Sequence, residues 1–281
     1  MYQFKALCEI DIEQLAQCLN AAFSDYEQPI RFTPESLQYY LTASAVDLSL
    51  SFGAFYEDQP VAAILNSAGM YQGKRVVFDA GTGVIPEHRG KKVFSRLFAY
   101  TGQQLQNRGI EKYYLEALQS NRHAVSIYSK KGFSVTREYS VLVASGPAYE
   151  SDPRVTAVPY RSFTAFPTGV SVEPSYEHTS YTIGRNPQLY EVLYLEDRAY
   201  CIYAKRNGEI IQMHYNDLDG LKEVMVALTR RYPSAMAKNV DCGCREVLQM
   251  LTDIGFKEVL KQYEMGKDIQ ETIACTGKKN C

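Results

Sequence analysis

The chain has 281 residues, 46% of them hydrophobic and 22% charged, with a formal net charge of −2 and a pI near 6.1. This composition is ordinary for a globular protein, and the length allows one large or two modest cores. The lack of a basic surplus argues against a general nucleic-acid or anionic-membrane binder. No apolar run approaches the roughly 18 residues of a spanning helix. The start, MYQFKALCEIDIEQL, lacks the basic-then-apolar order of a secretory leader. We therefore expect a cytoplasmic location, with no nucleic-acid and no membrane partner.

In chain order, residues 11–23 predict an amphipathic helix with Ile12, Leu15, Leu19 and Phe23 on one side. Thr33-Pro34-Glu35 opens a second helix, proline being favourable at the first helical position, and it runs to about residue 41. From residue 49 the period changes. Residues 49–56, 61–67 and 75–85 read as strands of an antiparallel meander, separated by Glu57-Asp58-Gln59-Pro60 and Tyr71-Gln72-Gly73-Lys74. The meander runs into residues 84–107, VIPEHRGKKVFSRLFAYTGQQLQN, whose apolar residues recur at helical spacing and are followed by the stop signal Gly109. The first turn of this helix carries Arg89, Lys91 and Lys92 at the positive end of the dipole. Each is unfavourable by roughly 0.3–1 kcal/mol if uncompensated. An anion on the free backbone N–H groups of that turn reverses the sign, and phosphate suits such a place. Three solvated surface cations are the plain alternative.

Residues 113–118 (YYLEAL) read as a strand, 121–131 as a short helix closed by Gly132-Phe133, and 135–143 as another strand. Strand–helix–strand passage predicts a parallel middle to the sheet with helices over its faces. The fold class is thus α/β (α+β), a mixed central sheet flanked by helices. Residues 145–187 hold six of the eleven prolines and read as a linker or irregular crossover. Strands follow at 189–195 and 199–205, then an Asn207-Gly208 hairpin turn and a strand at 210–215. Asp217 or Asp219 can cap a helix that runs to about residue 232. A strand at 235–240, a helix at 245–254, Gly255-Phe256 and a strand at 257–266 complete the pattern, before a polar, frayed ending after Lys267. IYSKKGFSVTREYSV and MLTDIGFKEVLKQYEM both place Gly-Phe between a short helix and a strand, and the order of elements repeats. We read a degenerate internal duplication, with domains at 1–145 and 188–281 joined by 146–187.

The seven cysteines (Cys8, Cys18, Cys201, Cys242, Cys244, Cys275 and Cys281) are odd in number, and reduced thiols are the default. Cys242-Gly243-Cys244 lacks a second pair at zinc-site spacing. His88, His123, His178 and His214 show no ligand spacing either. No metal is expected.

Three stretches, residues 81–94 (GTGVIPEHRGKKVF), 113–118 and 121–133 (NRHAVSIYSKKGF), taken in order and spacing, resemble the GCN5-related N-acetyltransferase (GNAT) superfamily. Residues 1–145 cover one such domain, and 170–267 resemble a worn second copy. The resemblance implies an acetyl-CoA-dependent N-acetyltransferase acting on a primary amine of a small molecule or peptide. It places the acetyl-CoA pyrophosphate on the N–H groups of Arg89, Gly90, Lys91, Lys92, Val93 and Phe94. It pairs the pantetheine arm, like an added strand, with Val84 and Ile85. It makes the Val84 N–H a donor to the thioester carbonyl, Asn121 a support for pantetheine or for the start of its own helix, and Tyr128 the acid for the leaving thiolate. Asp79, Glu87 and Glu116 are the carboxylates near enough in sequence to serve as base, with Glu116 counted among the catalytic residues and a water relay an equal route. The family has glycine where this chain has Lys92, and glycine or alanine where it has Phe94. Those two departures favour the alternative, a catalytically inactive acyl-CoA-binding or partner-binding module. In the second copy, residues 214–218 (HYNDL) stand where the first has Pro86 to Gly90, Cys244 stands for Asn121, and Leu251 for Tyr128. The resemblance implies no acetyl-CoA there. The acceptor and the oligomeric state are not written in these residues.

Overall fold

The computed structural model describes all residues except 26–30, 147–149, 151, 153, 165–168 and 270–281. In chain order its elements are β1 (Gln3–Ala6), α1 (Ile12–Ala22), α2 (Pro34–Ala43), β2 (Phe52–Tyr56), β3 (Gln59–Tyr71), β4 (Lys74–Val84), α3 (Val93–Gln106), β5 (Lys112–Leu118), α4 (Arg122–Lys130) and β6 (Ser134–Ala144). Then come β7 (Thr156–Pro159), β8 (Val170–Ser171), α5 (Ser180–Gly184), β9 (Tyr190–Leu195), β10 (Ala199–Ala204), β11 (Ile210–Tyr215), α6 (Leu218–Arg231), β12 (Met236–Asp241), α7 (Arg245–Asp253) and β13 (Phe256–Asp268). They fall into two compact units. One comprises Met1–Gln38, Val46–Tyr113 and the end of the chain from Lys267; the other comprises Tyr39–Ala45 and Tyr114–Gly266.

In the first unit, β1-β2-β3-β4 is an antiparallel run. Asp11 starts α1 by accepting hydrogen bonds from the N–H groups of Glu13 and Gln14 at 2.9 and 3.0 Å. Leu15, Cys18, Leu19 and Ala22 make its buried side. The hairpins turn tightly through left-handed residues, Glu57 and Asp58 (φ 50° and 60°) in one and Gln72 and Gly73 (φ 49° and 76°) in the other. The tightness of the first turn takes Gln59 and Pro60 into β3, two residues earlier than the sequence reading. β1 was not expected, since four residues are too few to display a period.

The second unit has the strand order β5-β13-β6-β12-β11-β10-β9-β7, with β8 paired to β11. This corrects the expected parallel middle. β5 and β6 do run parallel, but β13 lies between them and antiparallel to both. β12 and β13 likewise straddle β6. The β5–α4–β6 and β12–α7–β13 passages therefore open around the last strand of the other copy, whereas β11 and β12 are direct parallel neighbours. The division at 145 is one of sequence. The compact unit 114–266 runs across it.

The β6–β13 seam has its own chemistry. Arg137 and Glu264 are direct cross-strand partners, with Arg137 Nη2 3.1 Å from Glu264 Oε2. The Glu264 side chain is 1% exposed. It also accepts from Tyr139 O–H at 2.7 Å and Thr136 O–H at 2.6 Å. Burial works to raise its pKa, but Arg137 and these hydroxyls hold the carboxyl below the ordinary range. Arg137→Met is expected to cost about 3–5 kcal/mol in urea unfolding, because it leaves a buried carboxylate without its cation. Glu264→Gln should cost less. Equal and small losses would show that the seam does not depend on the charge.

The stretch expected as an irregular linker is more regular than its prolines suggest. β7 adds an edge strand to β9, β8 pairs with β11, and the Phe163 ring lies 4.9 Å from Tyr200 and 5.5 Å from Tyr194. Ile183 of α5 packs with Tyr190, Val192, Tyr200, Ile202 and Ile211. The Tyr-rich segment from Tyr176 to Tyr194 thus mostly packs the crossover down, with Tyr176 and Tyr190 buried and Tyr181 exposed. The other apolar cluster joins β10 and β11 to α6 and α7 through residues such as Cys201, Met213, Val224, Leu228 and Leu251. β13 reaches Asp268, one residue past Lys267, and the ending expected to fray lies, from 270 on, outside the described residues.

Candidate active site

In the first unit the site is the passage from β4 to α3. A bulge interrupts the β3–β4 ladder: Leu65 faces Gly81 and Asn66 faces Asp79, leaving Ala80 as the extra residue. The Asp79 carboxylate accepts from Gly81 N–H at 3.0 Å and Thr82 O–H at 2.6 Å. Gly83 lets α1 approach closely, because a Cβ there would lie 2.7 Å from Ala22 Cβ. Beyond it, Ile85 N–H donates to Val61 O at 3.0 Å, and Ile85 O accepts from His88 N–H at 3.0 Å. Both backbone groups of Ile85 are therefore engaged within the protein. Hydrogen-bonding positions alternate along an antiparallel ladder. With Ile85 N–H turned to β3, Val84 N–H turns away from it.

The chain then makes a 3₁₀ turn, Pro86–His88, and passes through Gly90 (φ 73°) and Lys92 (φ 61°) into α3. Lys92 is the N-cap residue and provides no side-chain cap hydrogen bond. The first N–H groups of a helix have no partner within it, so this turn is suited to an anion. The Gly90 Cα faces open space, with no atom within 4 Å of where a Cβ would stand. The left-handed φ of Lys92 is one that glycine adopts without strain. A side chain at such a φ costs on the order of 1 kcal/mol. Phe94 follows the helix, its ring 5.6 Å from Phe98, which in turn stacks on Tyr113 at 5.8 Å.

The Arg89 side chain is tied into the protein and does not stand free for a phosphate. Nη1 and Nη2 donate to the two oxygens of Asp25 at 2.6 and 2.9 Å, Nη2 also to Ala22 O at 2.8 Å, and Nε to Val84 O at 3.0 Å. Its N–H donates to Pro86 O. The cationic side chains left for an anion in this turn are those of Lys91 and Lys92, both exposed.

In the second unit, Asn121 caps α4 by accepting from Ala124 N–H at 3.0 Å. Tyr128 is half-buried, its ring edge-on to Phe133 at 5.6 Å. Glu116 is likewise held by protein groups. Its carboxylate accepts from Asn239 Nδ2 at 2.7 Å and Gln262 Nε2 at 3.1 Å, with Lys238 Nζ at 4.0 Å. Both oxygens are engaged by β12 and β13, so the group is poorly placed to take a proton from an amine. Burial pushes its pKa up, against the pull of Lys238. Lys238 itself is drawn down by burial, yet Glu177 at 2.6 Å, Glu116 and Glu209 hold its ammonium well above its ordinary value. Sequence reasoning missed this cluster. Its members come from β5, β12, β13 and the crossover, and their meeting has no local signal.

The second copy differs at each matching point. Asn216 and Asp217 alone join β11 to α6. Asp217 supplies its own carboxylate to that helix start, accepting from Gly220 N–H at 2.7 Å and pairing with Arg198 at 2.6 Å. Cys244 heads α7 without a side-chain cap, and Leu251 is fully buried.

Residues 12–133 match the family model described as acetyltransferase (GNAT) family. The match covers under half of the chain, and over it the sequence is similar to a GNAT domain. No curated protein matches the sequence. Among solved structures, the chain is similar to a GCN5-related N-acetyltransferase from Sphaerobacter thermophilus, with 15% identity, 96% of each chain covered and a TM-score of 0.63. It is also similar to a protein from Pyrococcus horikoshii (12% identity, 95% of this chain and 89% of that one, TM-score 0.69). A third likeness is to a tandem GNAT protein from the clavulanic acid biosynthesis pathway (10% identity, 96% and 99%, TM-score 0.63). At these identities the likeness speaks to fold, and it extends over both copies. The matched stretch is thus the first half of a fold similar to that of the tandem GNAT protein. Among the described residues, no group of three or more His, Cys, Asp or Glu is arranged to hold a metal ion, and no helix is long and apolar enough to cross a membrane.

Proposed function

We propose that the protein is an acetyl-CoA-dependent N-acetyltransferase that moves the acetyl group directly to a primary amine of a small molecule or peptide. The observation that carries this reading is the α3 start inside the matched GNAT segment. It has an open Gly90, no side-chain acceptor at its N-cap, and two exposed lysines. Acetyl-CoA supplies an activated acyl group as its thioester. The N–H groups from Gly90 to Phe94, with Lys91 and Lys92, hold the pyrophosphate. Val84 N–H, turned away from β3, donates to the carbonyl oxygen where charge develops. Asn121 fixes the first turn of α4, and Tyr128 on that helix protonates the departing thiolate. The amine must lose a proton as it attacks. Asp79 and Glu116 are both engaged by protein donors, which favours water as the carrier. The second copy, with Asp217 filling its helix start, holds no cofactor.

Calorimetric titration with acetyl-CoA is the test, followed by a screen of amines for thiol release. We expect binding that weakens as salt rises, since it rests on a charged turn. Binding with no turnover on any amine class would favour the inactive acyl-CoA-binding module, and no binding at all would leave only the partner-binding one.

A further inference from the structure

Arg89 stands in the proposed cofactor turn, yet its guanidinium is turned inward to protein. Of its five N–H groups, four are bonded: to both oxygens of Asp25, to Ala22 O and to Val84 O. One planar group therefore joins the end of α1 to the last residue of β4. The peptide between Val84 and Ile85 is held from both sides, its C=O by Arg89 Nε at 3.0 Å and its N–H by Val61 O at 3.0 Å. A peptide is rigid and planar. Holding this one at the end of the ladder, where Val84 lies opposite Ala62, restrains the torsions of Val84 and with them the direction of the Val84 N–H.

We propose that Arg89 and Asp25 form a positioning pair for the Val84 N–H. They set where that donor points rather than supplying charge to the pyrophosphate. The inference rests on reading Val84 as the donor to the thioester carbonyl. The residue types fit the role. A guanidinium fork can meet a carboxylate and two carbonyls at once, whereas an ammonium is a compact point of charge that cannot span them. Asp25 also neutralises Arg89 at short range, the opposite of what a phosphate-attracting cation needs.

The two roles separate in a pair of variants, Arg89→Lys and Asp25→Ala, studied in the full chain. The Asp25 side chain is 61% exposed, so its removal leaves the core intact. We expect acetyl-CoA affinity to stay within about threefold in both, and kcat on a wild-type substrate to fall roughly tenfold or more, a part of the 10²–10³ lost when an oxyanion donor is removed outright. If Arg89 instead served the pyrophosphate, Lys would preserve both constants, and Asp25→Ala would free the guanidinium and tighten binding. Either result overturns the proposal. A readout independent of turnover is the amide resonances of Val84 and Ile85 in the free protein. Asp25→Ala should shift both, and unmoved resonances overturn the proposal. A wild-type protein that neither binds nor turns over acetyl-CoA would sink the acetyl-transfer reading instead, while the resonances would still decide whether the pair orients this peptide.

Discussion

Tyr128→Phe is expected to lower turnover by about 10²-fold while acetyl-CoA still binds, the usual scale for losing one positioned proton donor. The substitution keeps the ring, and so the edge-on contact with Phe133 at 5.6 Å that closes α4. It also keeps the Asn121 cap at the other end of that helix. What is lost is one hydroxyl. A phenol near pKa 10 and a thiol near 8.5 are close enough for the proton to pass as the C–S bond breaks. The thiolate is also a tolerable leaving group without help, which is why the loss is bounded. The same reasoning fixes the pH trend. Toward and above the thiol's own pKa the departing sulfur no longer needs the proton, so the gap between Tyr128→Phe and wild type should narrow as pH rises. Thiol release assayed from pH 6.5 to 9.5 with a saturating amine would read both effects. An unchanged rate across that range would remove Tyr128 from the chemistry and leave its hydroxyl without a function in this scheme.

The parts of the molecule that the sequence displayed are those whose cause is local. Asp11 two and three residues ahead of the N–H groups it caps, proline at the start of α2 and the Gly-Phe closings of α4 and α7 are all short-range signals, and each marks a real boundary. The turn at Arg89 to Lys92 was visible for the same reason, as cations crowding the wrong end of a helix. What those cations do was not visible. Arg89 depends on Asp25, which lies 64 positions earlier, and nothing in the helix pattern hints at it. Glu116 looked like a catalytic carboxylate on an active-site strand. Its partners Asn239 and Gln262 belong to β12 and β13, strands that the other copy adds to the same sheet. Periodicity says that a strand has two faces, but it does not say which strand comes next. That is why the parallel middle of the sheet was misjudged: the helical crossover correctly implied that β5 and β6 run the same way, and gave no sign that β13 separates them.

The consequence of that insertion can be tested by removing it. A fragment of residues 1–145 contains all three stretches that carry the GNAT resemblance, yet we expect it not to fold to a stable monomer. In the full chain β13 lies hydrogen-bonded between β5 and β6. Without it, each of those strands presents an unpaired row of N–H and C=O groups, the feature that drives edge-to-edge aggregation. The charges would be stranded as well. Arg137 would lose Glu264, and Glu116 would lose Asn239, Gln262 and Lys238 together. Leaving buried polar groups unsatisfied costs about 1–3 kcal/mol each, against a total stability of roughly 5–15 kcal/mol for an ordinary domain. The fragment should therefore be insoluble, or show no cooperative thermal transition. Residues from 146 to the C-terminus lack β6 between β12 and β13, and should fail alone in the same way. Co-expressed, the two pieces hold each other's missing strand and should copurify as one body that melts like the intact chain. A fragment 1–145 that melted cooperatively as a monomer near the intact chain's Tm would mean that the exchanged strands are ornament. The tandem would then be two independent domains on one chain rather than one sheet shared by both.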